Sequence, residues 1–256
     1  MCKSYLIVSI AVGVILFAGQ ALAGPVTFTG DVPTDFVGEQ FFLDPDGGLD
    51  DVGMPPGFTT TGNAIIQLAV AYDTLSDTLY VGIDTVGIAL DVDGDGDPGH
   101  TSSKLKRLGG HDYPSCGVAE SFTFSIDLDN DGFFDVIAGL DLAGTATAGY
   151  QVAAFSGDPW APYLAFGAPI PGVGGSMNHD PSAAMPDLEF TVTGLTNIDP
   201  GFDGNDIHLH AFVGSLADDG FGEDFLEVFP IPEPTTLVLV GATVALLAGV
   251  VRKRIA

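Results

Sequence analysis

The sequence predicts an all-β protein, an antiparallel β-sandwich. Three observations carry this. The interior of the chain is cut into short runs rich in Val, Ile, Phe, Tyr and Thr, bounded by Gly, Pro and Asp clusters. No strong apolar period near 3.6 residues runs through them, so long amphipathic helices are not expected. Between two terminal segments that read as addresses lie about 208 residues, enough for one substantial core.

The N-terminal address is MCKSYLIVSIAVGVILFAGQALAG. It has a positive start at Lys3, an apolar run from Leu6 to Phe17 and a small-x-small site at Ala21-Leu22-Ala23. That is the pattern of a secretory signal peptide, residues 1–23, removed by signal peptidase after Ala23. The apolar run is too short for a stable span, and no cysteine follows it closely enough for a lipid anchor. Cys2 leaves with this segment, and Cys116 is then alone, which excludes an intrachain disulfide. A buried inert thiol is its expected role.

Residues 24–231 form the expected sandwich domain. All acidic residues except Glu233 fall here, out of 34, and of the seven basic residues only Lys104, Lys106 and Arg107 do. Nucleic acid and anionic membranes are poor partners for such a surface. Charge this high often means disorder, yet the content of Val, Ile, Leu and Phe argues for a folded domain whose charge is held by cations. Lys104, Lys106 and Arg107 follow an aspartate-rich stretch, but surface ion pairs contribute only about 0–1 kcal/mol.

The strand candidates, in order, are residues 64–72, 78–85, 121–127, 133–142, 150–155, 188–194 and 207–214. DTLSDT, Asp73 to Thr78, reads as a hairpin turn between the first two. In the second, Leu79, Val81 and Ile83 share one face and Tyr80, Gly82 and Asp84 the other. The first face is expected to pack.

Two loops carry the chemistry. In DVDGDGDPGH, Asp91, Asp93, Asp95 and Asp97 alternate, with Gly96 after the third. Like charges about 6.6 Å apart along an extended segment repel by about 0.6 kcal/mol per pair in bulk water, so something should offset the cost. Calcium loops of D-x-[DN]-x-[DN]-G type place side chains 1, 3 and 5 around one centre, turn at a glycine at 6 and offer the carbonyl of position 7. Asp91, Asp93, Asp95, Gly96 and Asp97 fit. DLDNDGFFD fits again, with Asp127, Asp129, Asp131, Gly132, Phe133 at 7 and Asp135 at 9. Hard oxygen donors on a flexible turn favour Ca2+ over transition metals. Position 12, a bidentate Glu in full EF-hand loops, is Ser102 in one and Ala138 in the other. The expectation is therefore of EF-like loops between strands, completed by water or by Glu120 or Asp141, with dissociation constants of about 10⁻⁴–10⁻³ M. A solvated acidic turn is the alternative. Asp44–Asp51 and Asp199–Asp206 are irregular echoes that read as acidic turns.

No G-x-S-x-G, H-E-x-x-H or phosphate loop occurs, and a non-enzymatic module is expected. His208 and His210 alternate on one strand without a third ligand in view, so a strand face is the better reading than a shared metal. Tyr150, Trp160 and Tyr163 are the aromatics to suspect of stacking on sugar rings.

The C-terminal address, residues 232–256, reads PEPTTLVLVGATVALLAGVVRKRIA. Pro232, Glu233 and Pro234 precede an uncharged stretch from Thr235 to Val251, then Arg252, Lys253 and Arg254. Seventeen residues rise about 26 Å as a helix, at the short end for a membrane span, and the basic cluster should stay cytoplasmic. This segment resembles the PEP-CTERM sorting signal of bacterial exported proteins. The resemblance implies that an exosortase recognises Pro232–Pro234 and removes the tail. The protein would then pass from transient anchorage in the inner membrane to the cell surface or extracellular matrix. A plain membrane anchor is the alternative.

A second resemblance rests on AYDTLSDTLYVGIDT, on the start TGDVPTDF (Thr29 to Phe36) and on GDGDP (Gly94 to Pro98). These are similar to DOMON-like sandwiches related to family-nine carbohydrate-binding modules, over about a third of the domain. That resemblance implies a jelly-roll-like sandwich and binding of extracellular polysaccharide. A structural matrix component without a discrete ligand is the second expectation, and a glycan-active hydrolase the third.

Overall fold

Alternation along TLYVGIDT decides the architecture. Leu79, Val81 and Ile83 are fully buried on one side of the strand, and apolar faces of other strands close over them. The structure, a computed structural model, describes residues 25–44, 62–91, 93–97, 100, 102–108, 121–140, 149–177, 181–204, 207–214 and 223–228. Both terminal addresses, including 235–251, and Cys116 lie outside these residues. Among the described residues no helix is long and apolar enough to cross a membrane.

The described chain is mostly β. The strands are β1 (Gln40–Leu43), β2 (Ile65–Asp73), β3 (Thr78–Thr85), β4 (Ser121–Asp127), β5 (Val136–Leu140), β6 (Tyr150–Ala154), β7 (Gly174–Met177), β8 (Leu188–Thr193), β9 (His208–Gly214) and β10 (Glu223–Val228). They form two antiparallel sheets. One has the order β1-β2-β3-β8-β7 and the other β10-β9-β4-β5-β6. The inner faces share one core that includes Leu68, Val81 and Phe190 from the first sheet and Phe122, Ile126 and Leu209 from the second. Phe190 reaches across, with its ring 5.4 Å from Phe122 and 5.7 Å from Phe124.

The hairpin at Asp73–Thr78 forms as expected. Asp73 accepts from the Leu75 N–H and the Ser76 hydroxyl, which closes the turn locally. The strand expected over 133–142 begins only at Val136, because Phe133 to Asp135 are spent closing an aspartate loop. Three strands escaped the sequence reading: β1, β7 and β10. All are sheet edges, where half the ladder is unpaired and composition is correspondingly less constrained. β7 is GGSM, which has no strand propensity of its own and is held by pairing with β8. Two short helices also went unforeseen, α1 (Val32–Asp35) and α2 (Ser103–Leu108). Asp31 caps α1 by accepting from the Thr34 N–H and hydroxyl, and Pro33 in its first turn presets the backbone.

The outer face of each sheet is covered as well. Val32 and Phe36 pack with Ala69 and Ala71 over the first. Ala165 and Phe166 pack with Ile137 and Ala153 over the second.

Phe190→Ala should lower the unfolding free energy by about 3–5 kcal/mol, measured by urea denaturation. Removing the ring leaves Phe122, Phe124 and Tyr150 around a cavity between the sheets.

Candidate metal centre

Loop one (91–97) follows a tight approach of two backbones. The Leu90 N–H donates to the Gly62 carbonyl, and a Cβ on Gly62 would stand 2.5 Å from Asp91 N, so only glycine admits Asp91 to its place. Asp91 is 2 % exposed. Its Oδ2 accepts the Gly96 N–H at 2.8 Å, and Gly94 and Gly96 both take positive φ to turn the loop back on it. Asp93 Oδ2 accepts the Ser102 N–H, and Asp95 Oδ1 the Asp97 N–H.

Loop two (127–135) repeats the construction on the β4–β5 hairpin. Asp127 ends β4, is fully buried, and accepts the Gly132 N–H at 2.9 Å, the same five-residue span as Gly96 to Asp91. Asp131 Oδ1 accepts the Phe133 N–H, as Asp95 accepts that of Asp97. Asp135 Oδ2 accepts the Leu128 N–H.

In each loop three carboxylates converge, their nearest oxygens all within 4.8 Å of one another: Asp91, Asp93 and Asp95, and Asp127, Asp129 and Asp135. The first set occupies positions 1, 3 and 5. The second occupies 1, 3 and 9, and Asp131 at position 5 stands outside it, turned to its own backbone. Asp97 and Phe133 at position 7 would contribute carbonyls. That of Asp97 already accepts the His100 N–H, which leaves one lone pair. Glu120 and Asp141, suggested as completing ligands, lie outside the described residues.

The electrostatics are unfavourable without a cation. Burial, and then the neighbouring carboxylates, raise Asp91 above the usual range, and the same causes raise Asp135. Asp91 Oδ1 and Asp93 Oδ1 are buried and find no hydrogen-bond partner among the described residues, which is costly for carboxylate oxygens. The donor set is all oxygen, and loop one leaves two of its carboxylate oxygens without a donor among the described residues. These residues fit a hard divalent cation.

Beside loop two, β9 pairs with β4 so that His208 stands opposite Asp127 and His210 opposite Ser125. His208 Nδ1 is 3.8 Å from Asp127 Oδ2, and its Nε2 is 2.9 Å from Glu227. His210 sits in an aromatic stack, 5.3 Å from Phe225 and 5.9 Å from Phe134. The two rings share a face, as expected, and both meet Phe134, but only His208 reaches acidic side chains. Among the described residues neither joins a metal-competent group.

Of the three suspected sugar-binding aromatics, Trp160 is displayed, 68 % exposed, with its ring against His210 and Phe225. Tyr163 packs on Phe212 of the same sheet. Tyr150 corrects the expectation: its ring packs between Phe122 and Phe190 of opposite sheets, and its hydroxyl donates to the Thr191 carbonyl. It is a core residue, placed there because β6 turns it inward. Sequence reasoning also missed Asp187 and Glu189, buried acids on the outer side of β8. The alternation of LEFTVT, with Glu189 between Leu188 and Phe190, places it on that side but not under cover.

No protein-family model matches the chain, and no curated protein or solved structure matches it significantly.

Burial, and then His208, push His210 down to about 4. A histidine held neutral when folded contributes stability above its unfolded value of about 6.5, and that contribution is lost as pH falls towards 4. Melting temperature followed from pH 7 to 4 should therefore fall less steeply for His210→Phe, which keeps the stack and removes the titration.

Proposed function

We propose that this is an exported, calcium-stabilised protein of the cell surface or extracellular matrix, a jelly-roll-like β-sandwich that binds extracellular polysaccharide without catalysing a reaction. The observation that carries the calcium reading is the repeated loop. Twice, a buried aspartate opens a glycine turn and two further carboxylates converge on it. Calcium suits a flexible all-oxygen set that takes further ligands from water and carbonyls, whereas magnesium demands near-ideal octahedral geometry. The ligands would be Asp91, Asp93, Asp95 and the Asp97 carbonyl in one loop. In the other they would be Asp127, Asp129, Asp135 and the Phe133 carbonyl.

Export rests on the pattern of residues 1–23 and on the resemblance of Pro232–Pro234, the apolar stretch 235–251 and the basic end to the PEP-CTERM signal. Signal peptidase and an exosortase-type enzyme are the processing partners in this reading. Polysaccharide binding is supported by Trp160, whose indole lies against a ring stack yet faces solvent, the arrangement of a platform for an apolar sugar face. Without such a ligand, the protein is a structural component of the matrix.

A thermal melt with about 2 mM calcium, a strength in the extracellular range, with magnesium and with chelator tests the metal reading. At about 1 mM calcium and a dissociation constant near 10⁻⁴ M, each site should add about 1.4 kcal/mol. Asp127→Ala with Asp129→Ala should lower the melting temperature in calcium and leave it nearly unchanged in chelator. An equal drop in both conditions rejects metal at that loop. Retention on immobilised polysaccharides tests the ligand. Trp160→Ala should abolish retention without moving the melt, and a wild-type protein that is never retained favours the structural reading.

A further inference from the structure

Residues 29–36 lie across the outer face of the first sheet in a groove shaped to receive them. A Cβ on Gly82 of β3 would come within 2.6 Å of Val32 and 2.7 Å of Phe36, so this strand can hold the segment only with glycine at that position. Phe36 stacks on Phe28, which meets Tyr80 edge-on.

The polar half of the contact is made by acids. Glu189 is fully buried and Asp187 is 3 % exposed. Glu189 Oε2 accepts the Gly30 N–H at 2.6 Å, and Asp187 Oδ2 accepts the Val32 N–H at 2.7 Å. The second oxygen of Glu189, Oε1, is buried and has no donor among the described residues. The group that faces Glu189 is the Asp35 carboxyl, and the one that faces Asp187 is the Asp84 carboxyl, each close enough to hydrogen-bond. Two carboxylates cannot hydrogen-bond each other, but a carboxylic acid and a carboxylate can. The orphaned oxygen therefore marks the place of a proton.

We propose that the Thr29–Phe36 segment is a proton-dependent latch, held on the first sheet by one shared proton in each of the pairs Asp35–Glu189 and Asp84–Asp187, and released when those protons leave to solvent. Release would uncover the apolar surface of Ala69, Ala71 and Tyr80.

The charged and titratable groups facing the pairs come from three elements: Asp31 and Asp35 from the segment, Asp84 from β3, and Asp187 and Glu189 from β8 and the residue before it. The charges that act on Glu189 and Asp187 are all of one sign. Burial, and then these neighbours, push Asp187 up to about 7 and Glu189 up to about 8. Burial would also raise Asp35, but hydrogen bonds from Glu189 and Thr29 hold it below the ordinary range, so Glu189 is the proton carrier of its pair. The docked state binds protons that the released state, with ordinary carboxyls, gives up near pH 4. Docking is thus strongest at low pH and weakens as pH rises towards 8.

Amide exchange of residues 30–36, corrected for the intrinsic rate, should be followed from pH 5 to 9 in constant calcium, with amides of β4 and β9 as the internal reference. Protection of the segment should fall by about tenfold or more, while the reference amides stay protected. In Glu189→Gln and Asp187→Asn, singly and together, an amide replaces the protonated carboxyl and keeps both a donor and an acceptor, so protection should persist at pH 9. Equal protection of the wild-type segment at pH 5 and 9 overturns the latch. So does loss in step with β4 and β9, or a double variant that releases as the wild type does.

Discussion

The structure depends on burying carboxylates in a chain with almost no cationic side chains to meet them. Asp91, Asp127, Asp187, Glu189 and Asp224 are all at most 4 % exposed. Each accepts a backbone N–H, from Gly96, Gly132, Val32, Gly30 and Ile65 respectively. With seven basic residues against 34 acids, the main chain is the plentiful donor. Hydrogen bonds to a charged acceptor are among the stronger ones, so segments of chain are folded around acids. The two loops, the Thr29–Phe36 segment and the start of β2 are all shaped this way.

Backbone donors satisfy lone pairs but do not remove charge, and the remainder is handled differently in different places. In the loops, three carboxylates converge at a glycine turn whose other members are exposed. That site is open to an ion and its water. Under the N-terminal segment Glu189 and Asp187 are enclosed, and each meets one partly exposed carboxyl, a geometry that suits a proton. The difference lies in the number of converging oxygens and their access to solvent, since all the groups involved are ordinary carboxyls.

Strand β9 joins two regions that the sequence leaves separate. His208 touches the acid that opens loop two, and two residues later His210 lies against Trp160. A cation at Asp127 and a ligand on Trp160 would act on the same strand, through side chains on the same face. Trp160 lies against the Phe225–His210 stack, which a neutral imidazole favours.

The central strands were legible because each carries its own alternation. β3 and β4 have the limits that their sequences predict, and the hairpin between β2 and β3 follows from Asp73 and its turn. The loop motifs were legible for the same reason: the carboxylates at positions one, three and five of loop one are neighbours in sequence, and local turn geometry brings them together. What the sequence could not show is whatever depends on a partner far along the chain. The edge strands β1, β7 and β10 exist because a neighbouring strand presents a ladder to them, not because four residues such as GGSM prefer to be extended. The convergence of Asp135 in place of Asp131 is decided by where β5 begins, and the enclosure of Tyr150 by the approach of the opposite sheet. Glu189 and Gly30 are far apart in sequence, and only the folding of the first segment over β8 makes one the acceptor of the other. Local periodicity and turn chemistry determined the fold class and the candidate ligands. Burial, which no single segment contains, decided which acids must find a proton or a cation.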